Sequence, residues 1–191
     1  MRELVERIRR DGKHLGNGIL KVDGFVNHQV DVRLVDACGR ELARRFGEAA
    51  PTKVLTAEIS GIAPAVFTAL HLGVPVVYAR KQKPVTMPDQ VYLTLSPSHT
   101  KGGVTELIVS PEYLGREERV LVVDDFLATG ATILGLARLA KAAGATIVGV
   151  GALIEKTFEG GRAALGSLGV RIETLARITA MEGDRILFVG D

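Results

Sequence analysis

The segment VLVVDDFLATGAT, from Val120 to Thr132, joins a buried strand to a polar loop and then to a helix, and this order indicates the fold class. Its apolar residues predict a strand that ends at Asp124, and the pattern that follows predicts a helix from near Thr132. The loop between them lies at the carboxyl end of a strand, where open α/β sheets bind their ligands. The stretch therefore predicts a parallel sheet with a binding site at its edge.

The loop in this stretch combines an anion site with two carboxylates. Its small side chains leave backbone N–H groups accessible at the start of a helix, so a phosphate can approach closely. Asp124 and Asp125 accept hydrogen bonds when ionised, and they suit the hydroxyl groups of a sugar better than a phosphate. A sugar phosphate satisfies both halves of the loop. A simpler interpretation, in which the acids and the turn only cap the helix, stays open at this point.

Outside this stretch, the chain alternates helical and strand patterns. Apolar residues recur on one helical face in residues 1–10 and 31–48, and residues 63–72 and 132–143 are predicted helices that end at Gly73 and Gly144. Short and mostly apolar segments, typical of buried strands, are residues 53–59, 74–81, 120–124 and 146–154, with late strands at 170–178 and 185–190. We expect the strand at 74–81 to be buried on both faces. The alternation predicts a single α/β domain over residues 1–191, with a mostly parallel central sheet flanked by helices.

Composition limits the class of protein. The chain has 191 residues, 47% of them hydrophobic, and its net charge of +2 gives no argument for nucleic-acid binding. A single cysteine, Cys38, excludes an intrachain disulfide and favours a reducing compartment. The charged start lacks a signal-peptide core, and no apolar run is long enough to span a membrane, so we expect a soluble cytoplasmic protein. The histidines show no spacing of metal ligands, and we expect no metal held by protein side chains; they are His14, His28, His71 and His99.

Two regions interrupt the alternation. Residues 12–30 contain four glycines and little periodicity. Residues 81–104 are polar and rich in Pro, Ser, Thr and Lys, and so long a stretch inside a domain is usually a functional lid or is disordered. The side chains of this second region that could reach a ligand are Tyr92, Ser96, Ser98 and Lys101.

The central stretch resembles the signature of the type I phosphoribosyltransferases. That signature is an apolar strand, two acids, two apolar positions, one variable position and then T-G-x-T, and every position matches here. The resemblance implies an enzyme of that fold whose loop binds the 5′-phosphate of phosphoribosyl pyrophosphate while the acids face its ribose. The implied residues are Asp124, Asp125, Ala128, Thr129, Gly130, Ala131 and Thr132.

Three further segments narrow the resemblance to the xanthine-specific members of bacterial purine salvage. They are LKVDGFVNHQVD from Leu20, SGIAPAVFTALHLGVPVVYARK from Ser60 and IEKTF from Ile154. The resemblance implies a homodimer, a flexible lid of about residues 82–104, and a small hood formed by about residues 12–30 and the C-terminal part. It implies that Leu20, Asn27 and Lys156 contact the base. It also implies that Ser60, Gly61, Arg80 and Lys81 contact pyrophosphate.

The residue types at the implied base site fit an oxopurine. Xanthine presents two carbonyl oxygens that accept hydrogen bonds, whereas the ammonium of Lys156 only donates. The same ammonium would meet the amino group of adenine donor to donor, and a mispaired buried donor costs about 1–3 kcal/mol. Guanine and hypoxanthine are disfavoured less strongly. Blander interpretations also stay open: an exposed strand-end lysine for Lys156, a turn residue for Asn27 and a solvated basic run for the cluster of Arg80, Lys81 and Lys83.

The implied reaction converts xanthine and phosphoribosyl pyrophosphate to xanthosine 5′-monophosphate and pyrophosphate, with Mg²⁺ carried by the phosphoribosyl pyrophosphate. No covalent nucleophile is needed, and Cys38 is expected to be a core residue. An alternative from another class is a regulator of the same fold that senses phosphoribosyl pyrophosphate and binds nucleic acid. Only the helix at residues 1–10 precedes the hood, and the small net charge gives RNA binding thin support. We therefore expect no nucleic-acid partner and no membrane.

Overall fold

The structure is a computed structural model and describes residues 1–97 and 103–191. The first part contains α1 (Arg2–Asp11), β1 (Lys13–His14), β2 (Leu20–Lys21), α2 (Val32–Phe46), β3 (Lys53–Ala57), α3 (Ile62–Leu72) and β4 (Val76–Ala79). The second part contains β5 (Tyr92–Pro97), β6 (Val104–Val109), β7 (Arg119–Leu127), α4 (Ala131–Ala142), β8 (Thr146–Lys156), α5 (Gly161–Ala164), β9 (Ile172–Glu182) and β10 (Arg185–Phe188). Short helical turns lie at Asp23–Asn27, Gly47–Ala49, Thr157–Glu159 and Leu165–Leu168.

Within the described residues, six strands form the central sheet, in the order β10-β9-β8-β7-β3-β4. All neighbours pair in parallel except β10, which pairs with β9 in the antiparallel sense. This arrangement confirms the predicted α/β fold with a mostly parallel sheet. It also brings the carboxyl ends of β3, β7 and β8 to one edge, where their loops meet.

Helices cover both faces of the sheet. On one face α1, α2 and α3 bury Leu4, Cys38 and Ala65 against apolar residues of the central strands. On the other face α4 buries Ile133 and Leu136 beside the strand pair β5–β6. Cys38 is fully buried, which confirms it as a core residue. The two cores hold the central strands rigidly, so the loops at their ends have a fixed base.

Two sequence predictions about strands were wrong, and two strands were missed. Strand β7 does not end at Asp124 but continues to Leu127, because β8 runs on beside it and pairs Asp124 with Ala152. Strand β4 is not buried on both faces, since it lies at the edge of the sheet and Tyr78 is 42% exposed. The missed strands are β5, which lies within residues 81–104, and β6, which begins at Val104; they pair with each other, and β5 packs beside α4.

The N-terminal region and the end of the chain meet beside the sheet. Strand β1 pairs with β2, and the ring of His14 lies with Nδ1 2.9 Å from the carbonyl oxygen of Gly183 in the β9–β10 turn. The turn Asp23–Asn27 follows, with Phe25 and Val26 buried in the core. These contacts hold residues 12–30 against the β9–β10 turn and the core.

Candidate active site

A cavity of about 510 Å³ lies at the carboxyl ends of β3, β7 and β8. The β1–β2 turn closes one side of it, and the β5–β6 hairpin closes another. Its lining includes Leu20, Asn27, Ser60, Lys81, Asp124, Asp125, Ala128, Thr129, Gly130, Ala131, Thr132 and Lys156. Residues that the sequence assigns to sugar phosphate, pyrophosphate and base therefore border one space.

The two adjacent aspartates are buried in the wall of this cavity. Asp124 is 7% exposed and Asp125 is 6% exposed, and the backbone N–H of Asp125 donates to Asp124 Oδ1 over 3.0 Å. Burial raises the pKa of Asp124 well above its ordinary value, and the neighbouring charge of Asp125 raises it further. The amide Nδ2 of Asn27 donates to Asp125 Oδ2 over 3.4 Å. Hydroxyl donors or positive charge on a ligand would stabilise the ionised pair.

The loop after β7 has the backbone that an anion site needs. Gly130 has a φ of 82°, in the left-handed region that favours glycine, and α4 begins at the next residue. The Ala131 N–H donates to Thr129 Oγ1 over 3.4 Å. Thr129 is exposed and Thr132 half-buried on the cavity side. The loop thus presents hydroxyl groups and backbone N–H groups at the positive end of a helix.

The loop between β3 and α3 approaches the acids from the neighbouring strand. A Cβ on Gly61 would lie 2.2 Å from Thr56 Oγ1 and 2.7 Å from Asp124 Oδ1, so only glycine fits at this position. Ser60 lines the cavity, whereas Gly61 is buried beside Asp124 and does not line it. The peptide bond between Glu58 and Ile59 is cis.

Glu58 links this loop to the end of β4. Its carboxylate accepts from the backbone N–H of Lys81 over 2.6 Å and lies 2.7 Å from Arg80 Nε. Lys81 lines the cavity, but Arg80 lies outside the described lining, where it pairs with Glu58. The two predicted pyrophosphate cations therefore occupy different places, one facing the cavity and one holding the loop.

Lys156 occupies the opposite side of the cavity, at the end of β8. It is 7% exposed, so the interpretation as an exposed strand-end lysine is wrong. Its ammonium donates to the Gly18 carbonyl over 2.7 Å and to Glu159 Oε1 over 3.0 Å. It also lies 5.6 Å from the centroid of the Phe126 ring. The lysine is held in place by the β1–β2 turn and by the residues that follow β8.

The sequence matches the model of the phosphoribosyl transferase domain over residues 30–162. The chain belongs to the phosphoribosyltransferase family. It is 54% identical to a xanthine phosphoribosyltransferase of Deinococcus deserti, over 99% of this chain and 98% of that protein. It is 50% identical to a xanthine phosphoribosyltransferase of Brevibacillus brevis, over 99% of this chain and 96% of that protein. These matches confirm the resemblance predicted from the sequence.

Solved structures with the same fold include enzymes that are named for a different purine, adenine. An adenine phosphoribosyltransferase of Rhodothermus marinus superposes on this phosphoribosyltransferase with a TM-score of 0.73 at 25% identity, over 93% of this chain and 100% of that chain. The phosphoribosyltransferase fold is therefore compatible with more than one purine. The choice of base has to come from the side chains around the cavity.

Sequence reasoning missed several residues of this phosphoribosyltransferase that border the cavity. Phe126 lies in sequence between the two acids and residues 128–132, and its place within the signature was the available signal. The turn residues Asn17, Gly18 and Ile19, together with Glu58, also line the cavity. Glu159 was also missed. It lies three residues after Lys156, and the turn after β8 is what brings its carboxylate to the ammonium of Lys156.

The lid residues proposed from the sequence divide into three groups. Ser96 lines the cavity, as do Pro97 and Thr105. Tyr92 packs instead against the core beneath α4. Ser98 and Lys101, like His99, lie outside the described residues.

Over residues 1–97 and 103–191, no group of three or more His, Cys, Asp and Glu side chains is arranged to hold a metal ion. None of the helices in those segments is long and apolar enough to cross a membrane.

Proposed function

We propose that this phosphoribosyltransferase transfers the phosphoribosyl group from phosphoribosyl pyrophosphate to xanthine, giving xanthosine 5′-monophosphate and pyrophosphate in purine salvage. The observation that carries the proposal is the shared cavity, whose lining includes a buried lysine opposite a pair of buried aspartates. The relatives named xanthine phosphoribosyltransferase, at 54% and 50% identity over almost the whole chain, support the same reaction.

The sugar phosphate is assigned to the β7–α4 segment. Ala128 to Thr132, which line the cavity at the start of α4, would bind the 5′-phosphate through backbone N–H groups and the threonine hydroxyls. Asp124 and Asp125 would accept from the ribose hydroxyls. Ser60 and Lys81 would bind the pyrophosphate, Gly61 would let the loop approach the acids, and Arg80 would act through Glu58.

The base is assigned to the space between Lys156, Asn27 and Leu20. Two of the three ammonium hydrogens of Lys156 are used by Gly18 and Glu159, which leaves one donor for a carbonyl oxygen of the purine. The Phe126 ring offers an aromatic face for stacking. A base with an oxo group opposite the lysine is favoured over adenine, because the adenine amino group would face a second donor.

Mg²⁺ is proposed to enter the site with phosphoribosyl pyrophosphate rather than in a cage of protein ligands. The donor set fits this role, because Asp124 and Asp125 can accept from ribose hydroxyls and from the water molecules of a hydrated cation. When bound, the ion supplies charge stabilisation for the departing pyrophosphate.

Transfer breaks the bond between C1′ and a pyrophosphate oxygen, which keeps the electron pair, and forms a bond between C1′ and a purine nitrogen, whose proton is released. The sugar develops oxocarbenium character, as in glycoside cleavage. The carboxylates of Asp124 and Asp125 favour that positive charge, and the protein aligns the two substrates. The β5–β6 hairpin would act as the lid, since Ser96, Pro97 and Thr105 border the cavity and can exclude water.

A homodimer in the cytoplasm completes the proposal. Val66 and Leu70 on α3 and Tyr78 on the edge strand β4 are 45%, 66% and 42% exposed, and such a group of apolar side chains suits a contact with a second copy. The buried free thiol of Cys38 is compatible with a reducing compartment.

The decisive experiment incubates the protein with Mg²⁺, phosphoribosyl pyrophosphate and xanthine, guanine, hypoxanthine or adenine in separate reactions. Nucleotide formation should be fastest with xanthine and slowest with adenine. A clear preference for guanine would overturn the assignment of the base, and failure to consume any purine would overturn the assignment as an enzyme. A regulator would bind phosphoribosyl pyrophosphate without consuming it.

A further inference from the structure

We propose that Arg162 is a positioning residue for the 5′-phosphate loop, residues 128–132. The inference rests on the proposed function and adds a residue that lies outside the cavity lining.

The start of α5 is in direct contact with the back of the phosphate loop. A Cβ on Gly161 would lie 2.2 Å from the Ala128 carbonyl oxygen and 2.9 Å from the Gly130 nitrogen. In the reverse direction, a Cβ on Gly130 would lie 3.2 Å from the Gly161 carbonyl oxygen and 3.4 Å from Leu165 Cγ. The two backbones are as close as glycines permit, so a displacement of Gly161 has to displace the loop.

Helix α5 cannot hold this position by itself. It spans only Gly161–Ala164, and so short a helix has little intrinsic stability. Its anchor is Arg162, the residue after the contact glycine. The guanidinium binds the Glu155 carboxylate with two hydrogen bonds, of 2.8 and 2.7 Å, and donates to the Ile172 carbonyl over 3.0 Å. One side chain therefore ties α5 to both β8 and β9.

The partner carboxylate is itself firmly held. The side chain of Glu155 is 2% exposed, and Thr174 Oγ1 donates to it over 2.6 Å. Burial alone would raise the pKa of Glu155, but the hydrogen bonds from Arg162 and Thr174 outweigh burial and lower it. The buried carboxylate stays ionised and continues to fix Arg162.

The base site depends less on this anchor. Successive residues of a strand point to opposite sides, so Glu155 faces α5 while Lys156 faces the cavity. Lys156 also has its own partners, Gly18 and Glu159. Loss of Arg162 should therefore weaken binding of the phosphate while leaving recognition of the base nearly intact.

Steady-state kinetics of Arg162→Gln, with calorimetric titration of phosphoribosyl pyrophosphate, test this inference. We expect the KM and the Kd for phosphoribosyl pyrophosphate to rise about 10-fold or more, because small misplacements of a binding group cost up to ~100-fold. The KM for the purine should change less than about twofold, and Arg162→Lys should restore part of the affinity, since a single ammonium replaces only part of the fork.

Arg177→Gln is the matched control. Arg177 also contacts Glu155, over 3.2 Å, but it belongs to β9 and not to α5. Its removal should leave the KM for phosphoribosyl pyrophosphate within about twofold of the wild-type value. An equal rise of this KM in both variants would mean that any cation paired with Glu155 has the same effect. That result would overturn the positioning role of Arg162. Unchanged phosphoribosyl pyrophosphate affinity in Arg162→Gln would do the same.

Gly161→Ala provides a second route that leaves the ion pair in place. The added methyl group has to push the Ala128 carbonyl away, so the same selective loss of phosphoribosyl pyrophosphate affinity is expected. Unaltered affinity in this variant would contradict the contact on which the inference depends, even if Arg162→Gln does not fold. Failure of the wild-type protein to bind phosphoribosyl pyrophosphate would instead refute the proposed function.

Discussion

The ionised form of Asp124, which the proposed function needs, is unfavourable for the stability of the ligand-free protein. Its carboxyl group is buried beside that of Asp125, and both burial and the neighbouring charge disfavour ionisation. A core position would normally hold a neutral side chain. The ribose hydroxyls and cation of the proposed substrate, however, need an ionised acceptor, so the free protein carries a cost that the bound ligand relieves.

Asp124→Asn should therefore raise the melting temperature while abolishing activity. The pKa of Asp124 in the folded chain lies above its ordinary value of 3.8, so the folded chain binds this proton more tightly than the unfolded chain. The wild-type protein therefore loses stability as the pH rises from the ordinary pKa of Asp124 through its raised pKa in the folded chain. The asparagine variant has no such carboxyl group and does not lose this stability. We expect its advantage to be small near pH 4 and to grow to about 2–4 °C or more at higher pH.

Thermal melts of the ligand-free protein between pH 4 and pH 8 measure this difference. Asp89→Asn is the control, because the Asp89 side chain is fully exposed and its replacement should leave the melting temperature unchanged. A variant at Asp124 that melts below the wild type at neutral pH would show that the carboxylate stabilises the fold, contrary to the expectation.

Lys156 carries the second prediction at this scale. Lys156→Ala removes the proposed donor to the oxo group, and a hydrogen bond from a charged group contributes about 1.5–3 kcal/mol, or roughly 10- to 100-fold in affinity. We expect kcat/KM for xanthine to fall by that factor or more, while the Kd for phosphoribosyl pyrophosphate stays within about threefold. Lys141→Ala, at an exposed lysine of α4, is the control. Equal losses for both substrates would refute the assigned role.

At the scale of elements, the buried strands and amphipathic helices were predictable because their periodicity reflects burial. The hairpin β5–β6 was missed for a physical reason: Thr94 and Ser96 face inward although they are polar, while Leu93 and Leu95 are about half exposed. Its alternation is therefore opposite to that of a typical half-buried strand. The end of β7 was also misplaced, since pairing with β8 extends a strand through two charged residues.

The loop between β3 and α3, which is proposed to bind pyrophosphate, has no room for a side chain at Gly61. Gly61→Ala should reduce activity at least ~10-fold and lower the melting temperature, because its methyl group would collide with Thr56 and Asp124 and force β3, α3 and β7 apart. Gly47→Ala, where nothing lies within 4 Å of the added carbon, is the matched control. Melts and initial rates of the two variants compare them directly. Full activity in Gly61→Ala would show that the loop moves freely, contrary to the packing.

At the scale of the whole molecule, the site is assembled from segments that are distant in sequence. The signature at Asp124–Thr132 was recognisable because strand, loop and helix are contiguous. The convergence of Asn27 and Lys156 on the same cavity followed only from family resemblance, since periodicity carries no information about which loops meet. The sequence carried no signal for Glu159 or Arg162. Their partners are Lys156 at the end of β8 and Ile172 at the start of β9, and these contacts form only in the folded chain.

Two chains are expected to associate through the exposed apolar side chains of α3 and β4. Val66 and Leu70 stand one turn apart on α3 and are 45% and 66% exposed, and α3 packs beside the edge strand β4. If this face is the dimer contact, Leu70→Asp places a charge within it and should shift the protein from dimer to monomer in sedimentation velocity. Leu15→Asp is the control, because Leu15 is 59% exposed on the β1–β2 turn, away from α3. A Leu70→Asp protein that sediments as a dimer would exclude this face as the contact, and a wild-type monomer would exclude the dimer itself.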